Sequence, residues 1–147
     1  MNKQNLTYIA LFFLLLIAVL IFTSQPEASP PGFETVSVDE ARGMIEKGDL
    51  FLLDVRTPAE FDESHLEGAV LIPLENGYGS NLGPDQLLEA RINEVPKGKK
   101  VLVYCRTGRR SAVASQMLVD AGYTDVYNMG GGINEWTAAG YPVVTGP

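Results

Sequence analysis

The segment from Val101 to Leu118 constrains this chain more than any other. Val101-Leu102-Val103-Tyr104 is a short β-branched and aromatic run, the pattern of a buried strand, and Ser111-Ala112-Val113-Ala114-Ser115-Gln116-Met117-Leu118 predicts a helix. Between them lies Cys105-Arg106-Thr107-Gly108-Arg109-Arg110, which contains the only cysteine of the chain. A strand-to-helix turn aims the first, unpartnered N–H groups of the helix at whatever occupies the turn, and these carry the positive end of the helix dipole. That setting favours a thiolate, and Arg106, Arg109 and Arg110 are expected to push the same way. On residue type alone, a lone cysteine at the end of a core strand is a small buried hydrophobe. The arginines argue otherwise: like charges repel, and packing gives no reason to crowd three of them into one turn. An anion bound by the loop explains them.

The rest of the chain repeats the strand–helix alternation. Glu34-Thr35-Val36 suits a short edge strand. Ser37-x-x-Glu40 is a capping box for a helix reaching about Lys47 and ended by Gly48. Leu50 to Val55 is a continuous apolar strand, and Thr57 caps a short helix with Pro58 at its first position. Ala69 to Ile72 is another strand, Asn76 to Gly83 a glycine-rich loop, and Pro84 to Glu94 places Leu87, Leu88 and Ile92 at helical spacing. Lys97 to Lys100 turns into the cysteine strand. The helix after the loop runs to about Ala121, and Asp125 to Met129 is the last strand. Gly130-Gly131-Gly132 leads to a final helix carrying Trp136, closed by Gly140. Solid apolar strands alternating with helices imply an α/β fold with a central parallel sheet and helices on both faces. Ligands of such sheets bind beyond the carboxyl ends of the strands, where the cysteine loop falls.

The N-terminus adds a separate element. Residues 6–22 contain no charge, glycine or proline, and 17 residues make about 25 Å of helix, enough for a bilayer with slight thinning. The expected organisation is a signal anchor or transmembrane segment over residues 1–24, a proline-rich linker over 25–33 and one folded domain over 34–147. Lys3 precedes the apolar run while Glu27 and Glu34 follow it, so the positive-inside rule sends the domain out of the cytoplasm, into the periplasm if the cell is Gram-negative. A cleaved signal peptide exports the domain equally well. Ahead of residue 34 lie only one acid, Glu27, and one base, Lys3, which leaves 17 acidic and 10 basic residues in the domain, a net charge of −7. Such a balance excludes nucleic acid as a general partner. With a single cysteine, no disulfide forms within the monomer, and Cys105 stays free, is modified, or reacts with an incoming group.

Four segments together carry a resemblance. Leu53-Asp54-Val55-Arg56-Thr57-Pro58-Ala59-Glu60-Phe61, His65-Leu66-Glu67-Gly68-Ala69-Val70-Leu71-Ile72-Pro73, Tyr104 to Ser111, and Gly130 to Trp136 with Gly140-Tyr141-Pro142-Val143 resemble, in order, the successive signatures of a single-domain rhodanese. The resemblance implies a rhodanese-like fold and a thiosulfate-type sulfurtransferase. Cys105 matches the family's nucleophile, which takes sulfur from a small anionic donor as a persulfide and passes it to a thiol or to cyanide. It implies substrate binding by Arg106, Thr107, Gly108, Arg109, Arg110 and Ser111, and no metal, nucleotide or organic cofactor. Asp54 and Arg56 are expected to organise the loop's surroundings by hydrogen bonds and ion pairing. His65, Trp136, the triple glycine, Glu89 and Arg91 read as structural: a loop residue, a core anchor, a tight turn and a solvated helix face. Two other readings stay open. One is a rhodanese-like module that only binds. The other is a cysteine phosphatase or arsenate reductase, which the loop disfavours: related phosphatases place five residues between cysteine and arginine, here four separate Cys105 from Arg110, and Tyr104 stands where they usually have histidine.

Overall fold

The computed structural model describes residues 32–77 and 79–147, together with residues 2, 4, 5, 8 and 12. Residues 31–147 form a compact unit of their own. The expected membrane segment 6–22 lies outside the described residues apart from Tyr8 and Phe12. Of the linker only residues 32 and 33 are described. Among the described residues no helix is long and apolar enough to cross a membrane.

The domain is built from β1 (Glu34–Val36), α1 (Val38–Lys47), β2 (Leu50–Asp54), α2 (Pro58–Glu63), β3 (Val70–Leu71), α3 (Leu88–Arg91), β4 (Lys100–Tyr104), α4 (Arg109–Asp120), β5 (Val126–Met129) and α5 (Gly132–Ala138). The five strands form one parallel sheet in the order β1-β5-β4-β2-β3. Alternation along β4 divides the core between its two faces. Val101, Val103 and Cys105 pack with Leu118 and Val119 of α4, while Leu102 and Tyr104 pack with Ala41 of α1 and Ile133 and Trp136 of α5. Both faces are therefore covered, which is why the strands read as unbroken apolar runs.

The strand order also fixes where a site forms. From β4 the chain moves to β5 on one side, whereas from β2 it moves to β3 on the other. Connections that part in opposite directions open a crevice beyond the carboxyl ends of the two strands. Cys105 follows β4 and Arg56 follows β2, so both lie at the carboxyl ends of neighbouring strands.

The expected capping box at Ser37 and the expected cap at Thr57 both form, the latter also as a box: Ser37 and Thr57 accept from the N–H groups of Glu40 and Glu60, whose carboxylates return to the backbone N–H groups of the caps. Several boundaries differ from expectation. The strand expected to include Val55 ends at Asp54, because the chain turns there and Arg56 folds back onto the Asp54 carboxylate. The strand expected over Ala69 to Ile72 is only Val70–Leu71: Ala69 is held in a turn by its N–H bond to Leu66 O, and Pro73 follows Ile72. The helix expected over 84–94 is broken into a 3₁₀ turn, α3 and a second 3₁₀ turn. Leu87 is extended, and the Leu88 N–H bonds the Pro73 carbonyl at 2.8 Å, which pulls the buried Leu88 side chain into the core at the cost of helical continuity. Helix α4 begins at Arg109, two residues before the expected Ser111, because Gly108 makes the whole turn with φ +89°.

Candidate active site

The cysteine loop is shaped by main chain rather than by side chains. At Gly108, φ is +89°, a region costly for residues with a β-carbon, and a β-carbon there would overlap the carbonyl oxygen of Gly130. Gly132 approaches from the same side; a β-carbon on it would stand 2.5 Å from the Arg106 carbonyl carbon and oxygen. The start of α5 then fastens the loop: Ile133 N–H donates to Cys105 O at 2.9 Å and Asn134 N–H to Arg106 O at 3.2 Å. The glycine triplet, read from sequence as a tight turn, is thus also the surface against which the cysteine loop is laid.

Within this frame the Cys105 sulfur accepts from the Gly108 N–H at 3.1 Å and from the Ser111 hydroxyl at 3.3 Å. The side chain is 1% exposed. Burial pushes its pKa up, but hydrogen bonds from the Ser111 hydroxyl and from the N–H groups of Ser111, Thr107 and Gly108 outweigh it, and the thiol is held below its ordinary value. The loop's own donors are the largest of the lowering influences, and the Arg110 guanidinium, whose charge is coupled to the Cys105 thiolate, pushes the same way as expected.

The arginines are divided. Arg110 makes a double hydrogen bond to Glu60 of α2, Nη1 to Oε2 at 2.9 Å and Nη2 to Oε1 at 2.7 Å. Burial would raise the Glu60 pKa, yet Arg110, with the Thr57 N–H, brings it down to about 2. Arg110 is thus tied to a wall of the site instead of standing free to take an anion. Arg106 and Arg109 are exposed and make no side-chain hydrogen bond or ion pair among the described residues.

Asp54 and Arg56 form a buried ion pair at 2.7 Å. The same Arg56 Nη2 donates to the Ser64 carbonyl at 2.7 Å, and the guanidinium lies 5.6 Å from the centre of the Tyr104 ring, the residue just before the cysteine. The Tyr104 hydroxyl accepts from the Leu66 N–H at 3.1 Å. The pair therefore ties the segment after α2 to the end of β4. His65 is buried away from the loop: it stacks on Phe61 with ring centres 3.7 Å apart, and its Nδ1 pairs with the Phe61 carbonyl. Trp136 is buried with its Nε1 bonded to Pro142 O, while Arg91 pairs with Glu94 on an exposed surface.

Beside the loop opens a cleft of about 610 Å³, whose walls include Arg56, Glu60, Arg106, Arg110, Ile133 and Asn134. Sequence reasoning missed two of its features, the Glu60–Arg110 pair and Asn134. Thr57 was legible as the cap of α2, but the arginine that pairs with Glu60 in its first turn lies 50 positions further on. Among the described residues no group of three or more His, Cys, Asp or Glu side chains is arranged to hold a metal ion.

A parallel α/β sheet whose central strand ends, at the switch point, in a cysteine hydrogen-bonded by its own loop and lowered in pKa defines a cysteine-centred α/β domain. Comparison with known proteins agrees. The family model described as "Rhodanese-like domain" matches residues 37–139. A protein named "Sulfurtransferase" from Allochromatium vinosum is 36% identical over 96 residues, covering 65% of this chain and 79% of that protein. "Thiosulfate sulfurtransferase 16, chloroplastic" of Arabidopsis thaliana is 36% identical over 110 residues, covering 74% and 90% of the two chains. The crystal structure of a rhodanese-related protein from Thermoplasma volcanium superposes with a TM-score of 0.63 at 27% identity, covering 76% of this chain and 98% of that one. The chain belongs to the rhodanese-like domain family, and its sulfurtransferase-named relatives support a sulfurtransferase.

Proposed function

We propose that Cys105 carries sulfane sulfur from thiosulfate or a related donor to a thiol or cyanide acceptor. The observation that carries this reading is the sulfur itself: buried at the end of β4, below its ordinary pKa, and met by the Gly108 N–H and Ser111 hydroxyl. The Cys105 thiolate attacks the outer sulfur of thiosulfate, the donor's S–S bond breaks, and sulfite departs with the bonding pair. The enzyme is left as a persulfide anion. The N–H groups that stabilise the thiolate also suit this anion, much as an oxyanion hole meets developing charge. Arg106 and Arg109, free of partners among the described residues, attract the dianion and ease the loss of sulfite. Arg110, held in place by Glu60, stands in the wall of the site beside the expected donor position. Thr107 and Ser111 contribute donors, and Asp54 and Arg56 fix the segment behind them.

Residues 6–22 are proposed to anchor the chain in a membrane, with the domain on the extracytoplasmic side. Their uncharged composition and the flanking Lys3 and Glu27 support this.

Intact-mass spectrometry tests the chemistry. Incubation with thiosulfate is expected to add one sulfur atom (~32 Da) that cyanide removes, with no gain in Cys105→Ser. A free, alkylatable thiol that gains no mass overturns thiosulfate as donor. Turnover of a phosphate ester or arsenate by the same preparation would favour the phosphatase-like chemistry that the short loop disfavours.

A further inference from the structure

Glu75 follows β3 at the carboxyl end of the sheet, is exposed, and makes no side-chain hydrogen bond or ion pair among the described residues. The chain nevertheless holds it on both sides. Before it, the Leu74 N–H donates to the Val55 carbonyl at 3.0 Å. After it, the Asn76 amide grips Leu82, donating to its carbonyl at 2.8 Å and accepting from its N–H at 2.6 Å. The next residue, Gly77, lies so close to α2 that a β-carbon on it would stand 2.9 Å from the Thr57 methyl group. Glu75 is thus placed by its neighbours and not by a bond of its own carboxylate.

The carboxylate lines an opening of about 270 Å³ on the outer side of the cysteine loop, together with Arg106, Thr107, Arg109 and Arg110. Glu60 raises the Arg110 pKa most, and the charges of Cys105 and Glu75 add to it, so the carboxylate and the sulfur act on the same guanidinium. Arg110 already has its partner in Glu60, and neither Arg106 nor Arg109 takes Glu75 as one among the described residues. Ion pairing therefore does not account for this acid. Its field does something else: it opposes every anion that approaches, in proportion to the anion's charge, so a dianion loses about twice what a monoanion loses.

We propose that Glu75 sets the donor specificity of the loop, discriminating against dianionic sulfur donors such as thiosulfate in favour of monoanionic ones; this rests on the persulfide reading given above. The Cys105 sulfur is 1% exposed and lines no part of the opening, so Glu75 acts on the approaching donor through space and does not touch the reacting atoms. With thiosulfate, the Cys105 thiolate takes the outer sulfur and sulfite leaves with the bonding pair. With the monoanion methanethiosulfonate, the same attack breaks the S–S bond and methanesulfinate leaves with the pair. Both leave a persulfide anion on Cys105, and neither consumes an external oxidant or reductant.

The test uses the full chain with Glu75→Gln and Glu75→Lys. Mass gain from each donor is measured first in all three proteins. Then kcat/KM is measured for both donors at low ionic strength, with cyanide as acceptor. Each unit of negative charge removed is expected to raise kcat/KM about fourfold for thiosulfate and about twofold for methanethiosulfonate. The thiosulfate-to-methanethiosulfonate ratio then rises about twofold in Glu75→Gln and about fourfold in Glu75→Lys. Both changes shrink in about 1 M salt, where screening acts within about 3 Å, whereas a merely structural residue would move both donors alike and ignore salt. A ratio that stays within about 1.5-fold in a Glu75→Lys protein that takes up sulfur overturns the assignment and leaves the persulfide reading standing. No mass gain from either donor in the unmodified protein overturns both, and is told apart because it appears before any variant is compared.

Discussion

Helices α2 and α4 both start at the carboxyl end of the sheet, from neighbouring strands, and their first turns are put to opposite uses. At α2 the Thr57 hydroxyl and Glu60 carboxylate satisfy each other's backbone N–H groups in a closed capping box. At α4 the cap is Gly108, which brings no side-chain hydrogen bond, and the N–H groups of the loop and first turn go to the sulfur. A capped end contributes stability, on the order of 1 kcal/mol. An uncapped end holds the same donors ready for an anion. The difference is set by one residue type, threonine against glycine, at equivalent points of two strand-to-helix turns.

The substitution with the largest expected effect abolishes the glycine cap. Gly108→Ala forces a β-carbon into the Gly130 carbonyl at a φ of +89°. It is expected to lower stability by at least about 2 kcal/mol and to remove thiosulfate-dependent sulfur uptake. Thermal denaturation and intact mass measure the two; a stable, active G108A protein would show that the loop does not depend on this turn.

Next in size is Ser111→Ala, which deletes one donor to the sulfur and leaves the backbone donors in place. Hydrogen bonds to charged groups contribute about 1.5–3 kcal/mol, so the thiol pKa is expected to rise by about one unit or more. The pH dependence of alkylation by iodoacetamide reads it directly, and an unshifted profile would assign the lowered pKa to the main chain alone.

The smallest effect belongs to the capped end. Glu60→Gln removes the carboxylate that closes the α2 box and pairs with Arg110, and about 1 kcal/mol of stability is expected to go with it. The sign with pH follows from the direction of its shift. Glu60 is brought down from 4.5 to about 2 in the folded protein, so its contribution is fully present above pH 4.5 and is lost as pH falls through 2. Stability curves of the two proteins should therefore differ near neutral pH and converge in acid; a constant gap across that window would mean the charge of Glu60 is not what matters.

Much of this architecture was legible in the residues. Apolar runs such as Leu50 to Asp54 and Val101 to Tyr104 mark strands because both faces of the sheet are covered, and Ser37 and Thr57 mark helix starts because their caps are local. The loop was legible for the same reason, since a strand, a glycine and a helix within ten residues fix its shape. What escaped depends on contacts between distant segments. The Glu60–Arg110 pair joins α2 to the first turn of α4 across 50 positions, which no local pattern reveals. The break at Leu87 follows from a bond to Pro73, which no periodicity within residues 84–94 reveals. The sequence also places Cys105 on a strand end without telling which face it meets; only the packing of α4 puts it beside Ser111.

The contact of Gly108 and Gly132 with opposing backbone has a consequence for how such a domain diversifies. Because the sulfur's cradle is moulded by main chain against main chain, the exposed side chains at 106, 107 and 109 are free of any part in holding its shape. Reactivity and recognition are thereby uncoupled. Exchanging those three side chains is expected to change the charge and shape of the loop's outer surface while the main-chain contacts of Gly108 and Gly132 stay in place.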